Sequence, residues 1–140
     1  MREPRYSWAY MLQRPAANNA SVANLTVVVY NGRPLGSASI ETALGGPQAA
    51  AAAGQKFITF SGTPSITRGS WLLDANVSTE KQPDPHGFFY RVVDISNPTA
   101  TTTQVELQTP LRVAINTTGQ VILMNDVVEV FDRGTGWRPD

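Results

Sequence analysis

The feature that most constrains this chain is a period-two alternation of apolar and polar residues in short runs, each closed by Gly, Pro or Asn. Side chains alternate faces only in an extended strand, so this period selects β structure over helix. Tyr6, Trp8, Tyr10 and Leu12 share one face of the first run, with Ser7 and Ala9 on the other. Leu25–Tyr30 is rich in β-branched residues and stops at Asn31-Gly32, a strong turn dipeptide. Phe57–Phe60, Ser70–Ala75 and Phe88–Ile95 follow, each bounded by turn residues. Thr103–Thr109 sets Val105 and Leu107 against Gln104, Glu106 and Gln108, a strand with one wet face. Leu111, Val113 and Ile115 prolong the alternation beyond Pro110, which breaks the ladder or sits on an edge. Val121–Met124 and Val127–Phe131 close the series around Asn125-Asp126.

About eight short, mostly antiparallel strands predict an all-β fold, a sandwich or a partly closed barrel, with a small SH3-like barrel open to residues 57–115. The length of 140 residues fits a single β-rich domain over 1–140. Residues 42–54 stand apart, with an alanine run from Ala49 to Ala53. Alanine favours helix, but Gly45-Gly46-Pro47 precedes the run and Gly54 ends it, which favours an Ala/Gly-rich loop over a turn or two of helix.

Charge excludes several partners. Eleven basic and eleven acidic residues cancel, so no global field draws the chain to nucleic acid or to an anionic membrane. Cysteine is absent, so no disulfide or thiolate metal site forms. No run approaches the ~20 apolar residues that span a bilayer, and Met1–Arg5 lacks the apolar core of a signal peptide.

Candidate chemistry is sparse. His86, the one histidine, lies in Gln82-Pro83-Asp84-Pro85-His86-Gly87, where Asp84 and His86 are the available metal ligands or general base. A metal site normally takes three or four ligands, and no nucleophile elbow accompanies the histidine. A proline-stiffened turn is the expectation. Asp74, Asp84, Asp94, Glu106, Asp126, Glu129 and Asp132 are dispersed over strand ends, and no two of them are placed as a glycosidase-type pair by the pattern alone. Trp8, Trp71 and Tyr90 alternate so as to fill a core, although these rings with Tyr10, Tyr30 and Trp137 are also suited to a binding platform. Trp137, in a terminal stretch without strand pattern, is either tucked back or offered to a partner. Four Asn-x-Ser/Thr triplets, at Asn19, Asn24, Asn76 and Asn116, carry meaning only in a glycosylating pathway. No catalytic residue, metal site or cofactor is predicted.

Several of these segments also resemble the globular part of prepilin-like proteins of the pseudopilin type, especially those of planctomycete bacteria. They are Arg5–Leu12 with Leu25–Tyr30, Gly69–Ala75, His86–Val93 and Asn125–Phe131, about half the chain. The resemblance implies a β-rich head borne on an apolar N-terminal helix, packed in a type IV pilus or type II secretion apparatus. It implies a cell-envelope setting, periplasmic or extracellular, with other protein subunits as partners and without catalysis. The processing glycine and the apolar helix of that family are missing from this sequence, so contact with a membrane would run only through a helix that the chain does not contain. The expected function is a non-catalytic structural or interaction domain, with a carbohydrate- or peptide-binding β module as the alternative.

Overall fold

The computed structural model describes residues 5–13, 23–32, 41–76 and 86–133. Nine strands run in chain order: β1 (Tyr6–Gln13), β2 (Asn24–Asn31), β3 (Thr42–Gly45), β4 (Phe57–Ser61), β5 (Trp71–Asn76), β6 (His86–Thr99), β7 (Thr102–Leu107), β8 (Val121–Met124) and β9 (Val127–Asp132). They form a three-stranded sheet in the order β1-β2-β9 and a six-stranded sheet in the order β3-β8-β5-β6-β7-β4. Every pairing is antiparallel. The fold is all-β, and the larger sheet curls into a half-barrel.

The residues group into two compact units, 39–125 and the flanking 1–38 with 126–140. The larger unit holds the half-barrel. Its long strand β6 makes the curl. The first half of β6 pairs with β5, from Asn76↔His86 to Trp71↔Arg91. The second half pairs with β7, with register shifts at Val92/Asp94 and Ser96/Thr99. Each shift adds twist and bends the strand, which is how a sheet turns a corner. The enclosed core contains Ile58, Phe60, Leu72, Tyr90, Val92, Val105, Leu107 and Leu123. Gln104 and Glu106 alternate outward between the buried Thr103, Val105 and Leu107, the wet face read from the sequence.

Two segments differ from the sequence reading. Residues 42–54 are not wholly loop, because Thr42–Gly45 form β3 against β8. The alanine run that follows is non-helical. It is pinned by reciprocal hydrogen bonds between Ala51 and Ile115, of 2.9 and 2.8 Å, and Ala51 is buried. Leu111–Ile115 is not a strand: Pro110 ends the ladder, and only the Ala51↔Ile115 bridge remains. Leu111 and Ile115 still supply core side chains.

The smaller unit is the three-stranded sheet. The register of β1 on β2 runs unbroken from Tyr6↔Asn31 to Gln13↔Asn24. Strand β9 completes it on the other side of β2, with a bulge at Val29/Tyr30. Thr26, Val28 and Tyr30 occupy the buried face of β2.

Candidate functional site

The pairing of β1, β2 and β9 collects side chains that lie far apart in sequence. Tyr6, Trp8, Tyr10 and Leu12 stand opposite Asn31, Val29, Val27 and Leu25, and Val27 and Val29 stand opposite Phe131 and Glu129. Directly opposed residues project from one face of a sheet, so these residues make a single surface. It is a solvent face: Trp8 is 63% exposed, Tyr10 65% and Phe131 51%. The expectation that Trp8 fills a core is therefore corrected. Alternation put Trp8 and Tyr10 on one face but did not say which face turns inward. In β1 the aromatic face turns outward. Trp71, Tyr90 and Tyr30 are buried as a core reading requires.

Four aromatic rings, each showing about half to two thirds of a side chain of ~150–250 Å², present on the order of 500 Å² of amphipathic surface. That is at the upper end of what a soluble monomer ordinarily exposes in one patch. Glu129 is the only charged side chain among the opposed residues of this face. Its Oε1 accepts a hydrogen bond from the Val130 N–H at 3.2 Å. An apolar, aromatic and nearly uncharged surface is chemically suited to docking, not to proton transfer or group transfer.

A second cluster lies in the half-barrel. Asp74 is set opposite Phe88 and Val121, and Leu72 opposite Tyr90, so one face of β5 and β6 carries Asp74, His86, Phe88 and Tyr90. His86 Nε2 lies 2.9 Å from Asp74 Oδ2, with side chains 10% and 3% exposed. Phe88 stacks on the imidazole with ring centroids 4.9 Å apart. The Arg112 guanidinium covers the Phe88 ring at 5.1 Å. The Arg112 N–H donates to Tyr90 Oη at 3.0 Å. Burial holds the Asp74 carboxyl above its ordinary range, partly countered by the hydrogen bond and charge of His86. Burial likewise raises the Tyr90 phenol, opposed by the Arg112 N–H.

His86 is thus the first residue of a strand and not part of a surface turn, and its carboxylate partner is Asp74. Asp84, the other candidate ligand beside His86, lies outside the described residues, as do Asn19 and Trp137. No group of three or more metal-ligating side chains occurs among the described residues. In the sequence Asp74 stands inside a strand pattern, whereas His86 lies just ahead of the Phe88–Ile95 run in the expected turn. Only the register of β5 on β6 brings them together.

The remaining carboxylates are placed differently. Asp94 and Glu106 oppose each other on β6 and β7. Asp94 receives a charge-assisted hydrogen bond from Arg68, with Nη2 at 2.7 Å, on the surface. A hydrogen bond from the Ile95 backbone and then Arg68 hold its carboxyl below the ordinary range. A general acid of a carboxylate pair needs the reverse shift. Asp126 sits in the β8–β9 turn with φ 61°. An open depression of about 320 Å³ lies beside β4, lined by Ala49–Ala51, Lys56, Phe57 and Gln104 among others. It gathers no set of convergent ionisable groups. Among the described residues, no helix is long and apolar enough to cross a membrane.

Comparison with protein-family models, with curated proteins and with solved structures finds no match. What the molecule offers is therefore its own geometry: an all-β scaffold with an exposed aromatic face on one sheet and a buried Asp–His pair in the other.

Proposed function

We propose that this protein is a non-catalytic structural and interaction domain that docks through the aromatic face of its three-stranded sheet. The observation that carries the reading is the outward row of Tyr6, Trp8, Tyr10 and Leu12 beside Phe131. A ring row that fills no core costs solubility, and its natural use is contact with another surface. Tyr and Trp suit that use because they join a large apolar area to a polar edge.

In its finer form, the domain is the globular head of a pilin-like subunit of a type IV pilus or type II secretion apparatus. It would work in the cell envelope, periplasmic or extracellular, with other subunits of the assembly as partners. The resemblance of Arg5–Leu12, Gly69–Ala75 and His86–Val93 to pseudopilin heads supports this form. So do the all-β body and the low content of charged residues, 16%. The gene should then encode an apolar helix ahead of Met1. An encoding sequence without one sinks the pilin form and leaves the broader reading standing.

Radical footprinting tests the broader reading. Trp8 and Tyr10 should be protected from oxidation in intact source cells relative to the dilute purified chain. Equal oxidation in both settings removes the case for a covered face. A carbohydrate- or peptide-binding module is the second reading, favoured by the same Trp8 and Tyr10 and no longer by Trp71, which is buried. Glycan-array binding that disappears in Trp8→Ala would move the assignment to that reading.

A further inference from the structure

The edge of the same sheet carries a more specific statement. The described sheets have four edge strands: β1 and β9 in the smaller, β3 and β4 in the larger. Exposed edges invite pairing with other chains, and proteins blunt them with shortness, charge or bulges. Strand β3 has four residues and a register shift, and β4 has five residues. Strand β9 faces a bulge and carries Glu129 and Asp132. Strand β1 has none of these devices. It is eight residues long, Tyr-Ser-Trp-Ala-Tyr-Met-Leu-Gln, without a charge or a proline. Its register against β2 is unbroken, and among the described residues it pairs with β2 alone.

We infer that β1 pairs antiparallel with β1 of a second copy across a two-fold axis at Ala9, joining two three-stranded sheets into one of six strands. The inference rests on the docking-face reading and names a partner for the border of that face. Directly opposed residues must share a face, so the axis passes through a residue position and not between two. Centring at Ala9 uses the whole stretch Tyr6–Leu12. It sets Trp8 against Tyr10 of the second copy, and Tyr6 against Leu12 of the second copy. Aromatic and aromatic–aliphatic pairs of this kind stabilise antiparallel neighbours. The contact is isologous, so it closes at two copies and leaves no further β1 edge to propagate. With equal numbers of acidic and basic residues, two copies approach without net repulsion. The two aromatic faces then form one continuous surface twice as large, a platform better matched to a stable protein interface than either alone.

The natural chain has no cysteine, so one introduced thiol is an unambiguous reporter. Ala9 is exposed and lies on the face opposite the aromatic row. In the proposed dimer Ala9 opposes itself at a Cα separation of about 4.5–5.5 Å, inside the range a disulfide bridges. The Ala9→Cys chain should oxidise almost wholly to a covalent dimer, and Gln108→Cys should not. In sedimentation equilibrium over the micromolar range, the parent chain should approach twice its 15.2 kDa mass. Trp8→Lys and Tyr10→Lys should each return it to the monomer, with near-ultraviolet circular dichroism retained as the sign of folding. A parent chain that stays monomeric overturns the inference. So does a dimer that survives both lysine variants without cross-linking at Ala9→Cys. Either result combined with protection of Trp8 in cells overturns self-pairing alone. Absence of that protection overturns the docking-face reading instead.

Discussion

Asp74 and Trp71 both belong to β5, and each buries polar atoms, but with different consequences. Asp74 has a partner in His86. Removing the partner by His86→Ala leaves a buried carboxylate uncompensated, which costs about 3–5 kcal/mol in comparable settings. The pH dependence has a definite sign. Because burial raises the folded carboxyl above its unfolded value, Asp74 contributes stability that is full below the ordinary carboxylate range and lost as pH rises through the folded value. Asp74→Asn cannot ionise. The difference in urea midpoint between Asp74→Asn and the parent should therefore move in the variant's favour as pH rises through the mildly acidic range. A difference independent of pH contradicts the burial argument. Asp94, whose carboxyl is lowered, has the opposite sign: its contribution is present above the ordinary range and fades as pH falls. Trp71 is buried with its indole N–H unpartnered. Trp71→Phe removes an orphan donor worth ~1–3 kcal/mol of penalty, which offsets the lost ring area. The expectation is a net change within about 1 kcal/mol, against ~3–5 kcal/mol for Trp71→Ala, both read by chemical denaturation.

At the scale of elements, alternation located eight of the nine strands, because β-branched and aromatic residues stood between clear breakers. Strand β3 was not legible: Thr-Ala-Leu-Gly has one β-branched residue, and its strand state comes from pairing with β8 across a long sequence gap. Leu111–Ile115 had the pattern but not the ladder, since Pro110 ends β7's continuation and the side chains reach the core from an irregular segment. Trp8 exposes a third limit. Period two specifies a face, while inward or outward is decided by what lies on each side of the sheet. The approach of loop to turn at Gly46 belongs to this scale too. A Cβ at Gly46 would collide with the carbonyl of Thr117, and backbone, not a flexible side chain, stands in the way. Gly46→Ala must push residues 46–51 off the 116–119 turn. Overpacking of this kind costs about 1–3 kcal/mol. Hydrogen exchange should show faster exchange at the Ala51 and Ile115 amides, which bond each other's carbonyls, before any change in β6 or β7. Unchanged exchange there would mean that the contact is looser than the geometry shows.

At the scale of the molecule, the smaller unit is discontinuous in sequence. Strands β2 and β9 are neighbours in one sheet, with Tyr30 opposite Val127 and the Asn31 N–H bonded to the Asp126 carbonyl. Everything from β3 to β8 is inserted between them, a nesting that a linear reading of strands does not reveal. The inserted unit brings its own first and last strands together: β3 pairs with β8 through Thr42↔Leu123. Every residue of the principal buried cluster, from Ala51 to Leu123, lies within the inserted unit. A segment with its own core and adjoining ends satisfies the requirements for folding alone. Expressed by itself, the 39–125 segment should unfold cooperatively in urea. It should keep the near-ultraviolet signal of Trp71, its one tryptophan, and it should lose the emission of Trp8 and Trp137, both of which lie outside the segment. A segment that shows no near-ultraviolet signal and unfolds without a transition would mean that the half-barrel depends on the three-stranded sheet, and that the boundary at 39 and 125 separates contacts without separating folding units.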